Sequence, residues 1–237
     1  MNSWKYSLFI GIYLFFSVIS NSSAIVYLLR PGIQLTDIIN GLRGQEVWKD
    51  SITYNGIPGT LTVFLCPDPF PVVTKTLEHY LVQFSGLNQE KGGIIIDFPH
   101  HSFFQRMLIL QVGTASQPVI FLLNLQSSPN NSNLVPWPTN LPRLGKAKIQ
   151  HLFRFQQSGS IYLIFYIQQD ILTSIHRELH TNLVAQGWQP IQESDARGGV
   201  FLRGDGKEMI LLNLIGERTE NLQEMIWGAI YLRPLKR

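Results

Sequence analysis

The chain has 237 residues, 45% of them hydrophobic, with 19 Lys and Arg against 16 Asp and Glu and a single Cys. So much apolar material with so little charge excludes a disordered chain, and one Cys excludes a disulfide scaffold. A net charge of +3, with no basic stripe interleaved with aromatics, gives no footing for a nucleic-acid partner.

Residues 1–24 read as a secretory signal of the Sec type. Lys5 supplies a basic start, residues 8–19 are nearly unbroken apolar, and Ser22 and Ala24 are the small residues a signal peptidase requires, so cleavage is expected after Ala24. The apolar run is shorter than the roughly 20 residues of a spanning helix. The expected mature protein therefore has no spanning segment, works in the periplasm or outside the cell, and carries 18 basic against 16 acidic residues.

A short strand over 25–29 and a helix capped by Thr36 and ended near Gly41 or Gly44 come next. Strands over 51–54 and 60–66 flank the turn from Asn55 to Gly59 and form a hairpin. A helix over 70–84 ends before Gly86, and strands follow over 94–98, 103–112 and 119–125. Residues 126–145 hold four prolines and four asparagines and read as a linker, because such a stretch sustains neither a ladder nor a helix.

Beyond the linker come strands over 148–156 and 160–168 and a helix over 171–186 between Asp170 as N-cap and Gly187 as C-cap. Strands over 199–203 and 208–215 then flank Gly204-Asp205-Gly206, and a charged, helix-compatible segment leads to a last strand over 226–232. Both halves run strand, strand, helix, strand, strand, strand. The fold class expected is α+β: two similar domains, 25–125 and 146–237, each a mainly antiparallel sheet with one packed helix. TLTVFLC answers SIYLIFY at an offset of 100 residues, and Leu77 and Leu81 answer Leu179 and Leu183 near 102.

The sheet faces carry the functional reading. Strand 148–156 alternates, with Ile149, His151, Phe153 and Phe155 on one side and Lys148, Gln150 and Arg154 on the other. Other strands are apolar on both sides. Phe64 opposes Leu61, Val63 and Leu65, while Tyr162, Ile164 and Tyr166 oppose Ile161, Leu163, Phe165 and Ile167. One helix per sheet covers one face. The second face needs the other domain, a protein partner or an apolar ligand, and Phe64, Tyr162 and Tyr166 are its candidate contact residues. Lys146, Lys148 and Arg154, on one face of a regular strand, form a candidate docking patch for an anionic surface, against the plainer reading of a solvated strand face.

Chemistry-bearing residues are sparse. His176 and His180 stand four apart on a helix, a metal-chelating spacing, but HRELH is not the zinc-peptidase HExxH because Glu178 is misplaced. His100, His101 and Asp97 could form a ligand or base cluster. Cys66 near a helix start, with His79 further on, is weighed as a nucleophile against an inert buried thiol. Glu217, Glu220 and Glu224 have helical spacing, and Glu193 and Asp195 lie beside Arg197. No motif calls for a cofactor. The sequence thus points to a secreted, non-catalytic binding or assembly factor of the cell envelope that contacts an envelope protein or itself. A carrier of a lipid or other apolar ligand is the alternative, and a metal-dependent hydrolase a weaker one.

Overall fold

A computed structural model of the chain describes residues 30, 33–81, 93–99, 103–111, 117–127, 135–168, 171–191, 197–218 and 224–235. The signal segment and the strand expected over 25–29 lie outside them. The described residues form a mostly antiparallel sheet structure with three helices, an α+β arrangement. The chain divides into two compact units, Met1–Ser51 with Ile57–Pro129, and Ile52–Gly56 with Asn130–Arg237.

The first unit contains helix α1 (Leu35–Gly41), the strand β1 (Gln45–Tyr54) as far as Ser51, β2 (Ile57–Leu65), α2 (Phe70–Leu77), β3 (Gly93–Pro99), β4 (Phe104–Gln111) and β5 (Pro118–Leu125). Its strands lie in the order β3-β4-β5-β2-β1. Leu35, Ile38 and Ile39 of α1 and Phe70, Val73 and Leu77 of α2 pack on Ile94, Ile96, Met107, Ile109, Ile120 and Leu122 of the sheet. Two helices therefore serve this face, where the sequence pattern implied one. Phe64 is half-buried against the same cluster.

Local chemistry moves two helix boundaries away from expectation. Thr36 lies inside α1; Gln34 is the N-cap, its backbone N–H donating to Asp37 Oδ2 at 2.8 Å in a capping box. Helix α2 ends at Leu77 rather than near Phe84. Arg30 collects the carbonyls that follow, donating from its side chain to Glu78 O at 3.1 Å and Leu81 O at 3.4 Å, and from its backbone to Tyr80 O at 3.0 Å. Carbonyls satisfied in this way need no further helical turn.

The second unit takes residues 52–54 of β1, then β6 (Lys148–Phe155), β7 (Ile161–Gln168), α3 (Leu172–Ala185), β8 (Gln189–Pro190), β9 (Gly198–Arg203), β10 (Glu208–Arg218) and β11 (Glu224–Pro234). From the end of β1 the order is β6-β7-β11-β10-β9-β8. Helix α3 packs over β10 and β8. It buries Ile175, Leu179 and Leu183, each worth about 2 kcal/mol. Its C-terminus closes as a Schellman turn: Gly187 takes φ 82°, Trp188 N–H bonds Leu183 O at 3.0 Å, and Gly187 N–H bonds Val184 O at 2.9 Å. Asp170, the expected N-cap, lies outside the described residues; Ile171 occupies the cap position without a side-chain bond.

Three further expectations are corrected. Part of the expected linker is packed: Leu141 and Leu144 are 2% exposed, and Val135 and Trp137 lie against the same core, so its prolines shape a segment that buries its apolar side chains. The charged stretch before the last strand is not helical where described, because β10 runs on to Arg218 and β11 starts at Glu224, pairing Arg218 with Glu224 and Glu217 with Met225. Gly216 in that stretch also disfavours a helix. Finally, β6 is not a plain alternating strand. Ile149 pairs with Phe165, and the next pair is His151 with Ile164, which leaves Gln150 as a bulge. The extra residue turns Ile149 away from the face of His151, Phe153 and Phe155, and puts Lys148 and Arg154 on opposite faces of the sheet.

Candidate functional site

Antiparallel register sorts the second unit's side chains into two faces. Ile161, Leu163 and Phe165 of β7, Ile226, Ile230 and Leu232 of β11, and Ile210, Leu212 and Leu214 of β10 make the helix-covered core. Tyr162, Ile164 and Tyr166, then Met225, Trp227, Ala229, Tyr231 and Arg233, then Met209, Leu211, Asn213 and Ile215 point the other way. That second face changes character along its width. Tyr162 and Ile164 are each 5% exposed, whereas Tyr166, Met225, Trp227, Tyr231 and Leu211 are half-exposed and Ile215 is 45% exposed. Val200 and Leu202 of β9 continue it half-exposed.

Aromatic pairs organise the open part. The Tyr166 and Trp227 rings sit 5.5 Å apart with a 45° tilt, and those of Tyr162 and Tyr231 6.4 Å apart. Lys148 Nζ lies 6.0 Å from the Tyr166 ring centroid, at the outer limit of a cation–π contact. The Tyr231 hydroxyl donates to Ser160 Oγ at 3.3 Å. Burial pushes that phenol above its ordinary pKa, against smaller opposing effects of the Ser160 bond and Arg233, so it stays a neutral donor at physiological pH. At the buried end, Tyr54 OH and His151 Nδ1 are hydrogen-bonded at 2.8 Å.

From β7 to β9 the face spans three inter-strand steps of about 4.8 Å. From Met225 to Arg233 it runs about 27 Å, so the whole face, with its buried Tyr162 and Ile164 included, has a plan area of at most roughly 400 Å2, and the open part is smaller. Open apolar patches of a few hundred Å2 are often functional.

The residues singled out by sequence are distributed as follows. Tyr166 and Lys148 come together on the open face. Tyr162 shares it but is buried, Arg154 is exposed on the opposite face, and Lys146 stands exposed in the turn before β6. The basic trio therefore does not share one face, because of the Gln150 bulge. Phe64 belongs to the first unit's helix-covered core. On the other face of that strand, Leu61 and Val63, with Leu108, Phe121 and Leu123 beside them, are at most 2% exposed, while Leu65 at the strand's end is 42% exposed.

His176 and His180 do meet on one side of α3, ring centroids 6.2 Å apart, both half-buried. Among the described residues no three His, Cys, Asp or Glu side chains are grouped to hold a metal. His100, His101, Glu193, Asp195 and Glu220 lie outside the described residues. Asp97 is held by Arg106 through two hydrogen bonds of 2.6 and 2.7 Å, a cross-strand pair of β3 and β4. Cys66 is fully buried, and burial, with the Asp68 charge adding to it, raises its pKa to about 11. His79 is exposed in the turn after α2. A thiol held protonated in this way is no nucleophile.

The sequence alone does not single out Trp227, Tyr231 and Leu211, because their strands are apolar on both faces. No family model, curated protein or solved structure matches this chain. Among the described residues no helix is long and apolar enough to cross a membrane.

Proposed function

We propose that the chain is a secreted, non-catalytic binding or assembly factor of the cell envelope, and that it docks a protein partner on the half-exposed face of β7, β11, β10 and β9. The observation carrying this reading is the Tyr166–Trp227–Tyr231 surface with Leu211, Met225 and Ile215 beside it, aromatic and apolar, with basic residues Lys148 and Arg233 also on the face. Aromatic residues of this kind supply large contact area with little side-chain entropy to lose, and they dominate interface energetics. The location rests on the secretory pattern of residues 1–24. The two strand orders, β1-β2-β5-β4-β3 and β6-β7-β11-β10-β9, follow the same connection rule, which supports reading the halves as two copies of one architecture.

The test is native co-purification from envelopes with the wild-type chain and a Tyr166→Ser, Trp227→Ser variant whose melting temperature matches it. A constant partner recovered with the first and at least tenfold depleted with the second is the expected result. Identical recovery with both refutes the docking face. Lipid found in organic extracts of the purified wild type, and lost in the variant, would instead favour the carrier reading.

A further inference from the structure

We propose that His176 and His180 form a two-imidazole chelate for a late first-row divalent metal ion, binding Cu2+ most tightly, on the solvent edge of α3. The site is separate from the docking face, since α3 covers the opposite side of the sheet. Four residues along a helix advance 6.0 Å with about 40° of rotation, so the two side chains leave the same surface one turn apart. The structure holds them in that relation, with ring centroids at 6.2 Å and planes 39° apart. Imidazole nitrogen binds such ions at about 2.0–2.1 Å, which brings the centroids of two cis rings on one tetragonal Cu2+ ion to roughly 4.5 Å. Closing the difference takes small side-chain rotations and no backbone movement.

One feature favours metal capture over a merely amphipathic edge. The His180 ring meets the fully buried Phe201 ring edge-on at 5.7 Å, which restrains one imidazole before any ion arrives. Both rings are half-exposed, so an ion can enter from solvent and complete its shell with water. With two nitrogen donors and open positions, the site follows the general affinity order, in which Cu2+ exceeds Ni2+ and Zn2+.

Calorimetric titration of the purified chain with Cu2+ alone, and the electron spin resonance spectrum of the Cu2+-loaded protein, test this. One Cu2+ site is expected, with hyperfine splitting from two nitrogens. Affinity should fall at least tenfold in His176→Ala and in His180→Ala, and hold in a His100→Ala, His101→Ala variant, all with unaltered melting temperature in the absence of metal. Unchanged affinity in both α3 variants, or loss in the His100, His101 variant alone, overturns the assignment. Should an alanine variant not fold, His180→Gln, which keeps a polar side chain of similar length, serves in its place with the same expected loss.

Discussion

Adding one methyl group at Gly228 tests how the second unit's core is built. Gly228 pairs with Phe165 across β11 and β7, and an added Cβ would come within 2.6 Å of both Cε atoms of the Phe165 ring. The ring's Cζ would lie closer still, and carbon atoms prefer about 3.5–4.0 Å, so the ring would have to retreat by about 1.5 Å. Phe165 is fully buried, and Trp137 lies 5.5 Å from it, centroid to centroid. Replacing a strand glycine by alanine would by itself stabilise by about 0.4–1 kcal/mol through the unfolded chain. Overpacking costs about 1–3 kcal/mol. The steric cost exceeds the entropic gain, so Gly228→Ala should destabilise by about 1–2 kcal/mol net.

Urea unfolding followed by Trp fluorescence reads this as a midpoint lowered by roughly 0.5 M at unchanged slope. Phe165→Leu should relieve the clash, making the double variant at least about 1 kcal/mol more stable than the two single losses predict. A Gly228→Ala protein as stable as wild type, or strictly additive behaviour, would refute the ring-on-glycine account.

Two further outcomes follow from the first unit. Arg106→Leu, which strands the part-buried Asp97 carboxylate, should cost about 3 kcal/mol by chemical denaturation, and Asp97→Leu combined with it should recover much of that loss. Cys66, with a folded pKa of about 11 against an ordinary value of 9.0, should resist alkylation at pH 8 until the chain unfolds. Because the folded state keeps this proton longer, its contribution to stability is complete below pH 9 and declines as pH rises toward 11, which an alkaline unfolding series with a Cys66→Ala control would detect.

Much of the strand layout was legible because the strands are short apolar runs bounded by distinctive turns. Asn55 and Gly56 take φ 48° and 84°, and Gly204, Asp205 and Gly206 all lie at positive φ, as their residue types announce. Features fixed by one residue's surroundings were not legible. Nothing in KIQHLFRF marks Gln150 as the bulged residue, yet that bulge decides which side Lys148 and Arg154 occupy. The end of α2 depends on Arg30, more than forty residues earlier, and burial of Leu141 and Leu144 depends on a core that local composition does not reveal. The open aromatic face is legible only in part: Tyr166 and Lys148 stand out in the sequence, whereas the strand over 226–232 is apolar on both sides and lacks a clean alternation to mark Trp227 and Tyr231 as its outer face.

The second unit draws residues 52–56 from a part of the chain that precedes most of the first. Ile52 and Tyr54 pair with Phe155 and Phe153, and the Asn55 side chain bonds the backbone N–H of Leu152 and the carbonyl of Gln150. No single cut therefore releases this unit whole. A fragment starting at 130 keeps Trp137 and Leu141 but loses a border segment of its sheet, so gene truncations designed at the proline-rich stretch should yield a weakened product, and a circular permutant that carries 52–56 next to 148 should serve better.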